Sequence, residues 1–145
     1  MNRNILFVAG LLLLLGCASA PKYDREAALG ESFNLSPGES AHIATDGIVV
    51  RFINVTEDSR CPSDVVCIWA GQVKAEVEFS AAGEVSRFNL TSTAGKIAES
   101  EFDFINRTYV LSMLKVEPYP KSTDGKRNYT ATFRVDVAAP GSKIK

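Results

Sequence analysis

Apolar and polar residues alternate with a period of two along much of the chain. In residues 73–79, valine, alanine and phenylalanine alternate with lysine and glutamate, and residues 129–137 repeat the pattern. Because successive side chains of a strand point to opposite faces, each segment predicts a strand with one buried and one solvated face. No segment beyond residue 16 has a convincing helical period. The pattern therefore predicts an all-β fold.

Departures from the alternation, and the turn residues between segments, refine this prediction. Residues 47–55 are apolar on both faces for part of their length, which is typical of a central strand. In residues 109–116 the apolar phase slips after Met113, which indicates a β-bulge. Residues 36–39 suit a type II turn, and the Asp-Gly pair at 46–47 is a two-residue hairpin signal. About seven or eight short strands at this spacing predict a single antiparallel β-sandwich of immunoglobulin-like type, with a small β-barrel as the alternative.

The first residues have the pattern of an export signal. An apolar run covers residues 5–15 and follows a short segment whose only charge is Arg3. Its length suits the hydrophobic region of a signal peptide and is too short for a membrane-spanning helix, which needs about 20 residues. We therefore expect this segment to be removed from the mature protein.

The end of the apolar run resembles a lipobox, the recognition site of bacterial lipoprotein maturation. Its residues are Leu14-Leu15-Gly16-Cys17. The resemblance implies that lipid is attached to the Cys17 sulfur and that the chain is cut before Cys17. The alternative is an ordinary signal peptide cut after Ala18-Ser19-Ala20, which leaves a proline as the first mature residue.

Lipidation of the cysteine also predicts the domain boundaries and the location. Residues 1–16 are the signal peptide, 17–30 the lipidated cysteine and a tether, 31–138 the β-sandwich domain, and 139–145 a flexible tail. By resemblance to enterobacterial sorting, an alanine rather than an aspartate after the cysteine favours the outer membrane, facing the periplasm, over the inner membrane.

Charge and cysteine content limit the partners and the chemistry. The 16 basic and 17 acidic residues leave the chain nearly neutral, without the excess of positive charge that nucleic-acid binding requires. With Cys17 assigned to lipid, Cys61 and Cys67 remain as a pair in an oxidising compartment, which predicts a disulfide. A zinc site or a redox motif is the alternative. However, the single histidine cannot complete a zinc ligand set, and redox motifs have two intervening residues.

No pattern of catalytic or cofactor-binding residues is visible in the sequence. There is no Gly-x-Ser-x-Gly motif, no phosphate-binding glycine loop, and the lone His42 falls in a predicted strand. The Glu57-Asp58 pair and Asp64 lack the alternating carboxylates of a calcium loop, and we interpret them as solvated loop charges. We therefore predict no catalytic residues, no metal and no cofactor.

Residues 57–71 form the most distinctive block of the mature sequence. An acidic pair and a serine precede Arg60-Cys61-Pro62, and the second cysteine is followed by Ile68-Trp69-Ala70-Gly71. The block resembles a recurrent motif of small bacterial lipoproteins and exported proteins that have no established activity, and the similarity covers most of the chain after residue 31.

Arg60 and Trp69 are the candidate binding residues of this block. Trp69 lies two positions after Cys67, so in an extended chain both side chains face the same way and the indole is expected to pack on the disulfide or the core. The alternative is an exposed aromatic side chain that binds a partner. Arg60 is expected to pair with Asp58, Asp64 or a carbonyl.

These observations favour a lipid-anchored, non-enzymatic envelope protein with a binding or structural role. The expected partners are the membrane, through the lipid anchor, and an envelope protein. The alternative is an inhibitor of a protease or lysozyme in the periplasm, for which the only support is analogy with other compact β-sandwiches.

Overall fold

The computed structural model describes residues 23–93, 96–104 and 106–139, and the regular elements in these ranges are all strands. The strands are β1 Arg25–Ala27, β2 Ser32–Leu35, β3 Ser40–Ile43, β4 Ile48–Asp58, β5 Gln72–Ala81, β6 Glu84–Thr93, β7 Ala98–Phe104, β8 Arg107–Glu117 and β9 Thr130–Val137. Within the described ranges there is no helix long and apolar enough to cross a membrane.

The strands form two packed sheets that are not closed into a barrel. One sheet has the order β1-β3-β4-β5-β6 and the other has the order β2-β9-β8-β7. Neighbouring strands are antiparallel except β1, which runs parallel to β3. The predicted β-sandwich is therefore confirmed. Strands that follow each other in sequence are also neighbours in the sheets from β3 to β6 and from β7 to β9. Each of these two runs is therefore a β-meander.

The alternating residues place the core between the sheets. On β5 the residues of one set, Val73, Ala75 and Val77, are buried, while the intervening charged residues are only partly covered. Phe52 of β4 and Phe133 of β9 meet edge to face across the two sheets, with ring centroids 5.6 Å apart. β4 lies between β3 and β5, which confirms the predicted central strand.

The predicted bulge and most of the predicted turns are present. The register of β8 against β9 shifts between Met113 and Lys115, where the apolar phase slips. At the first turn, the Glu39 N–H donates to the Ser36 carbonyl at 2.9 Å. The loop of the Asp-Gly hairpin is longer than the predicted two residues. Ile43 pairs with Ile48, so residues 44–47 form the connection between β3 and β4.

Strand directions define two ends of the sandwich. The β4–β5 connection, the β8–β9 connection and the turn at residues 36–39 lie at one end, which we call the loop end, and the tight hairpins lie at the other. β1 runs parallel to β3 and begins beside Ala41, so the chain enters the domain from the loop end. β1 falls inside the segment 17–30 that we predicted to be a tether, so the folded domain starts before residue 31. Cys17, the predicted signal peptide and most of the predicted tail lie outside the described residues.

Candidate functional site

The β4–β5 connection, residues 59–71, is closed by a disulfide between Cys61 and Cys67, as predicted. We call it the disulfide loop. At its base the two strands continue to pair, since the Ser59 N–H donates to the Gln72 carbonyl at 2.8 Å and the Cys61 N–H to the Ala70 carbonyl at 2.9 Å. The loop is therefore a covalently closed extension of the β4–β5 hairpin.

Gly71 allows the two arms of the loop to come this close. Its φ is +71°, in the left-handed backbone region that residues other than glycine rarely adopt. A β-carbon on Gly71 would overlap the Ser59 backbone carbonyl and crowd Arg60 Cα. The glycine of the Trp-x-Gly motif is therefore required by backbone geometry.

A buried ion pair lies beneath the loop. The Asp58 and Arg60 side chains are 4% and 8% exposed, and Arg60 Nε and Nη2 donate to the two Asp58 carboxylate oxygens at 2.8 Å each. Asp58 also accepts hydrogen bonds from the Tyr129 hydroxyl at 3.1 Å and from Arg127 Nη1 at 3.3 Å. One carboxylate thus connects β4, the disulfide loop and the end of the β8–β9 connection.

The Arg60 guanidinium extends this network to β8. Its Nη1 donates to the Val116 carbonyl at 2.7 Å, its Nη2 donates to the Pro118 carbonyl at 3.1 Å, and its Cζ lies 4.7 Å from the centre of the Tyr119 ring. The expectation that Arg60 pairs with Asp58 and with carbonyls is confirmed. Because these contacts satisfy its donors in the interior, Arg60 braces the loop and does not offer a free binding group.

Burial and the neighbouring polar groups shift the pKa of Asp58 in opposite directions. Burial raises the pKa of the Asp58 carboxyl, while the hydrogen bonds and positive charge of Arg60, together with the Tyr129 hydroxyl, lower it. The balance is a pKa below the ordinary value of an aspartate. Asp58 is therefore ionised at neutral pH and is a buried charge, which corrects our interpretation of it as a solvated loop residue.

A second connection fastens the far side of the disulfide loop to the β8–β9 connection. Asp64 accepts hydrogen bonds from the hydroxyl and the backbone N–H of Ser122. These two hydrogen bonds hold the pKa of the Asp64 carboxyl below its ordinary value. The Ser63 N–H donates to the Pro120 carbonyl at 2.9 Å. The loop is thus held at its base and at its side.

Four apolar side chains project from the loop into solvent. Val66 and Ile68 are fully exposed, Trp69 is 61% exposed and Val65 is 45% exposed. We call these four residues the apolar tip. The prediction that the Trp69 indole packs on the disulfide or the core is wrong, because the chain bends at residues 68–69 and the strand alternation used to orient Trp69 does not continue there.

The remaining described surface offers weaker candidates. An open cavity of about 680 Å³ lies at the loop end between the turn at residues 36–39 and the β8–β9 connection. Of its two cations, Lys126 and Arg127, Arg127 is already paired with Asp58 and Asp124. His42 stacks on Tyr23 with ring centroids 4.6 Å apart. Nowhere in residues 23–93, 96–104 or 106–139 do three histidine, cysteine or carboxylate residues lie close enough to hold a metal.

Sequence reasoning found the disulfide and the pairing of Arg60 with Asp58, but it missed the other partners of Asp58, Arg127 and Tyr129. The Asp58-x-Arg60 spacing carries a weak signal, since the two residues are adjacent on one face of an extended chain. No local signal connects Asp58 with Arg127 or Tyr129, which lie some seventy positions later. Comparison with protein-family models, curated proteins and solved structures gives no match to this chain.

Proposed function

We propose that the protein is a lipid-anchored, non-enzymatic protein of the bacterial cell envelope that acts by binding through the disulfide loop. The single observation that carries this proposal is the apolar tip, in which Val66 and Ile68 are fully exposed on a loop whose base is buried and braced. Exposed apolar patches rimmed by polar residues are typical of interaction sites. The proposed anchor is Cys17, which we place on the outer membrane facing the periplasm.

The bracing of the loop supports a binding role. Association costs conformational entropy when the binding segment has to be ordered, and a preorganised segment avoids most of that cost. The disulfide, the Asp58–Arg60 pair and the Asp64–Ser122 hydrogen bonds fix the backbone on both sides of the tip. Tryptophan is also among the residues that contribute most to binding interfaces.

The exposed side chains of the disulfide-closed loop support the alternative, an inhibitor of a periplasmic protease or lysozyme. A disulfide-closed loop that projects apolar side chains has the form needed to enter the cleft of a hydrolase. On this alternative, the protein captures one hydrolase stoichiometrically and abolishes its activity. Serine at Val66 and Ile68 should then remove the inhibition.

The anchor is tested by replacing Cys17 with alanine in the full chain. We expect the wild type to carry lipid on Cys17 and to fractionate with membranes, and Cys17→Ala to remain unlipidated and uncleaved, as measured by intact mass spectrometry. The double variant Cys61→Ala, Cys67→Ala is the matched control and should keep the lipid. A wild-type mature protein that begins at Pro21 without lipid would contradict the proposal.

A further inference from the structure

We infer that the apolar tip inserts into the interface of the membrane that holds the lipid anchor, so that the domain docks with its loop end on the bilayer. The inference rests on the proposed lipidation of Cys17 and names the partner of the disulfide loop as a lipid surface. Three observations carry it: the end at which the chain enters the fold, the length of chain before that point, and the chemistry of the tip.

The chain enters the domain from the end that carries the apolar tip. β1 runs parallel to β3, and the Asp24 N–H donates to the Ser40 carbonyl at 3.1 Å at the start of β3. Ser40 pairs with Arg51 on β4, and β4 continues from there to Asp58 and the disulfide loop. The first described residues therefore enter the fold from the side toward which the loop points.

The length of the connection limits how far the loop end can stand from the bilayer. Cys17 precedes Tyr23 by six residues, which span at most about 20 Å when fully extended. The end of β4 lies seven residues beyond Arg51, roughly 22–24 Å along the strand. An extended connection thus brings the anchor about level with the base of the disulfide loop, and the loop beyond it meets the membrane surface.

The residues of the tip suit a membrane interface. Tryptophan is enriched at the level of the lipid headgroups, and valine and isoleucine gain free energy when their surface leaves water. The charged residues at the base of the loop, Asp58 and Arg60, already satisfy each other, so this pair brings no unpaired charge to the lipid. Asp64 at the side is held by Ser122. Within residues 59–71 of the loop Arg60 is the one basic residue and it is paired with Asp58, so the loop itself carries no polybasic patch for anionic lipid.

The test uses Trp69, the single tryptophan of the chain, as the reporter. Full-length lipidated protein is reconstituted in phosphatidylcholine vesicles with and without brominated acyl chains. We expect a blue-shifted Trp69 emission, quenching by the brominated lipid and protection from aqueous iodide. Val66→Ser with Ile68→Ser should abolish the shift and the quenching while the lipid keeps the protein on the vesicles. Val85→Ser, at an exposed position near the opposite end, is the matched control and should retain both.

The outcomes separate this inference from the proposed function. Absence of lipid on Cys17, checked by mass spectrometry on the same preparation, overturns the proposed anchor. Lipidated protein whose Trp69 stays accessible to iodide and is not quenched by brominated lipid overturns the inference while the anchor stands. A shift that requires an envelope protein in addition to lipid also overturns it, because the tip then binds a protein.

Discussion

Replacing Asp58 with asparagine removes the charge that holds the disulfide loop to the sandwich. Arg60 then keeps its positive charge in a position where its side chain is 8% exposed, without the carboxylate that contacts it twice at 2.8 Å. Breaking a buried ion pair by removing one partner costs about 3–5 kcal/mol. That is a large part of the total stability of a domain, which is typically about 5–15 kcal/mol. We therefore expect Asp58→Asn to lower the free energy of unfolding by about 3–5 kcal/mol.

Urea unfolding of the wild type and of two matched variants measures this effect. Asp136→Asn is the control, because Asp136 pairs with Arg134 at 2.6 Å but both side chains are more than one third exposed. Exposed ion pairs contribute about 0–1 kcal/mol, so this variant should stay close to the wild type. Equal losses in the two variants, each below about 1 kcal/mol, would refute the conclusion that the Asp58–Arg60 pair braces the loop.

The pH dependence of the same difference gives an independent check. Folding lowers the pKa of Asp58, so the stability that its charge contributes is fully present above the unfolded-state pKa, about 4. It is lost as the pH falls through the lower folded-state pKa. Asparagine does not ionise, so the difference between the wild type and Asp58→Asn should be constant from pH 7 to about pH 5 and should narrow below about pH 4. A difference that stays unchanged down to pH 2 would contradict the assignment.

Two further predictions concern the backbone of the disulfide loop. Gly71→Ala should lower the free energy of unfolding by more than about 1 kcal/mol, because a side chain there is strained and overlaps the neighbouring arm, while Gly125→Ala, which has open space, should change it little. The double variant Cys61→Ser, Cys67→Ser should lower the free energy of unfolding by about 2–2.5 kcal/mol relative to the oxidised wild type, on the chain-entropy estimate for so short a ring. Urea unfolding measures this loss, and the reduced wild type is the control, which should unfold at the same midpoint as the double variant.

The sequence was informative where physical constraints repeat along the chain. Alternation in β5 and β9 predicts strands because a half-buried sheet requires it, and the slip after Met113 predicts a bulge because a shift of one residue exchanges the two faces. The pair of cysteines predicts a disulfide because the alternatives need ligands or spacings that the chain lacks. Each of these constraints is local or has few solutions.

The candidate site was less predictable because it depends on tertiary contacts and on an irregular loop. Asp58 is a buried charge whose partners Arg127 and Tyr129 come from the end of the β8–β9 connection, and hydrophobic patterning contains no information on such polar pairings. Trp69 was placed by extending strand geometry past Cys67, where the chain bends. The exposure of the tip is a property of this irregular loop, and the composition of the block gives no signal for it.

The stability of the domain and the proposed binding depend on different parts of the disulfide loop. The brace consists of the disulfide, Gly71 and the Asp58–Arg60 pair, all of which act on the backbone or the buried base. The apolar tip makes no comparable contribution, because Val66 and Ile68 are as exposed in the folded domain as they would be in an unfolded chain. Burial of these side chains therefore cannot favour folding, and its free energy remains for association with a partner. Substitutions in the brace should change stability, whereas substitutions at the tip should change association and leave the unfolding midpoint where it is.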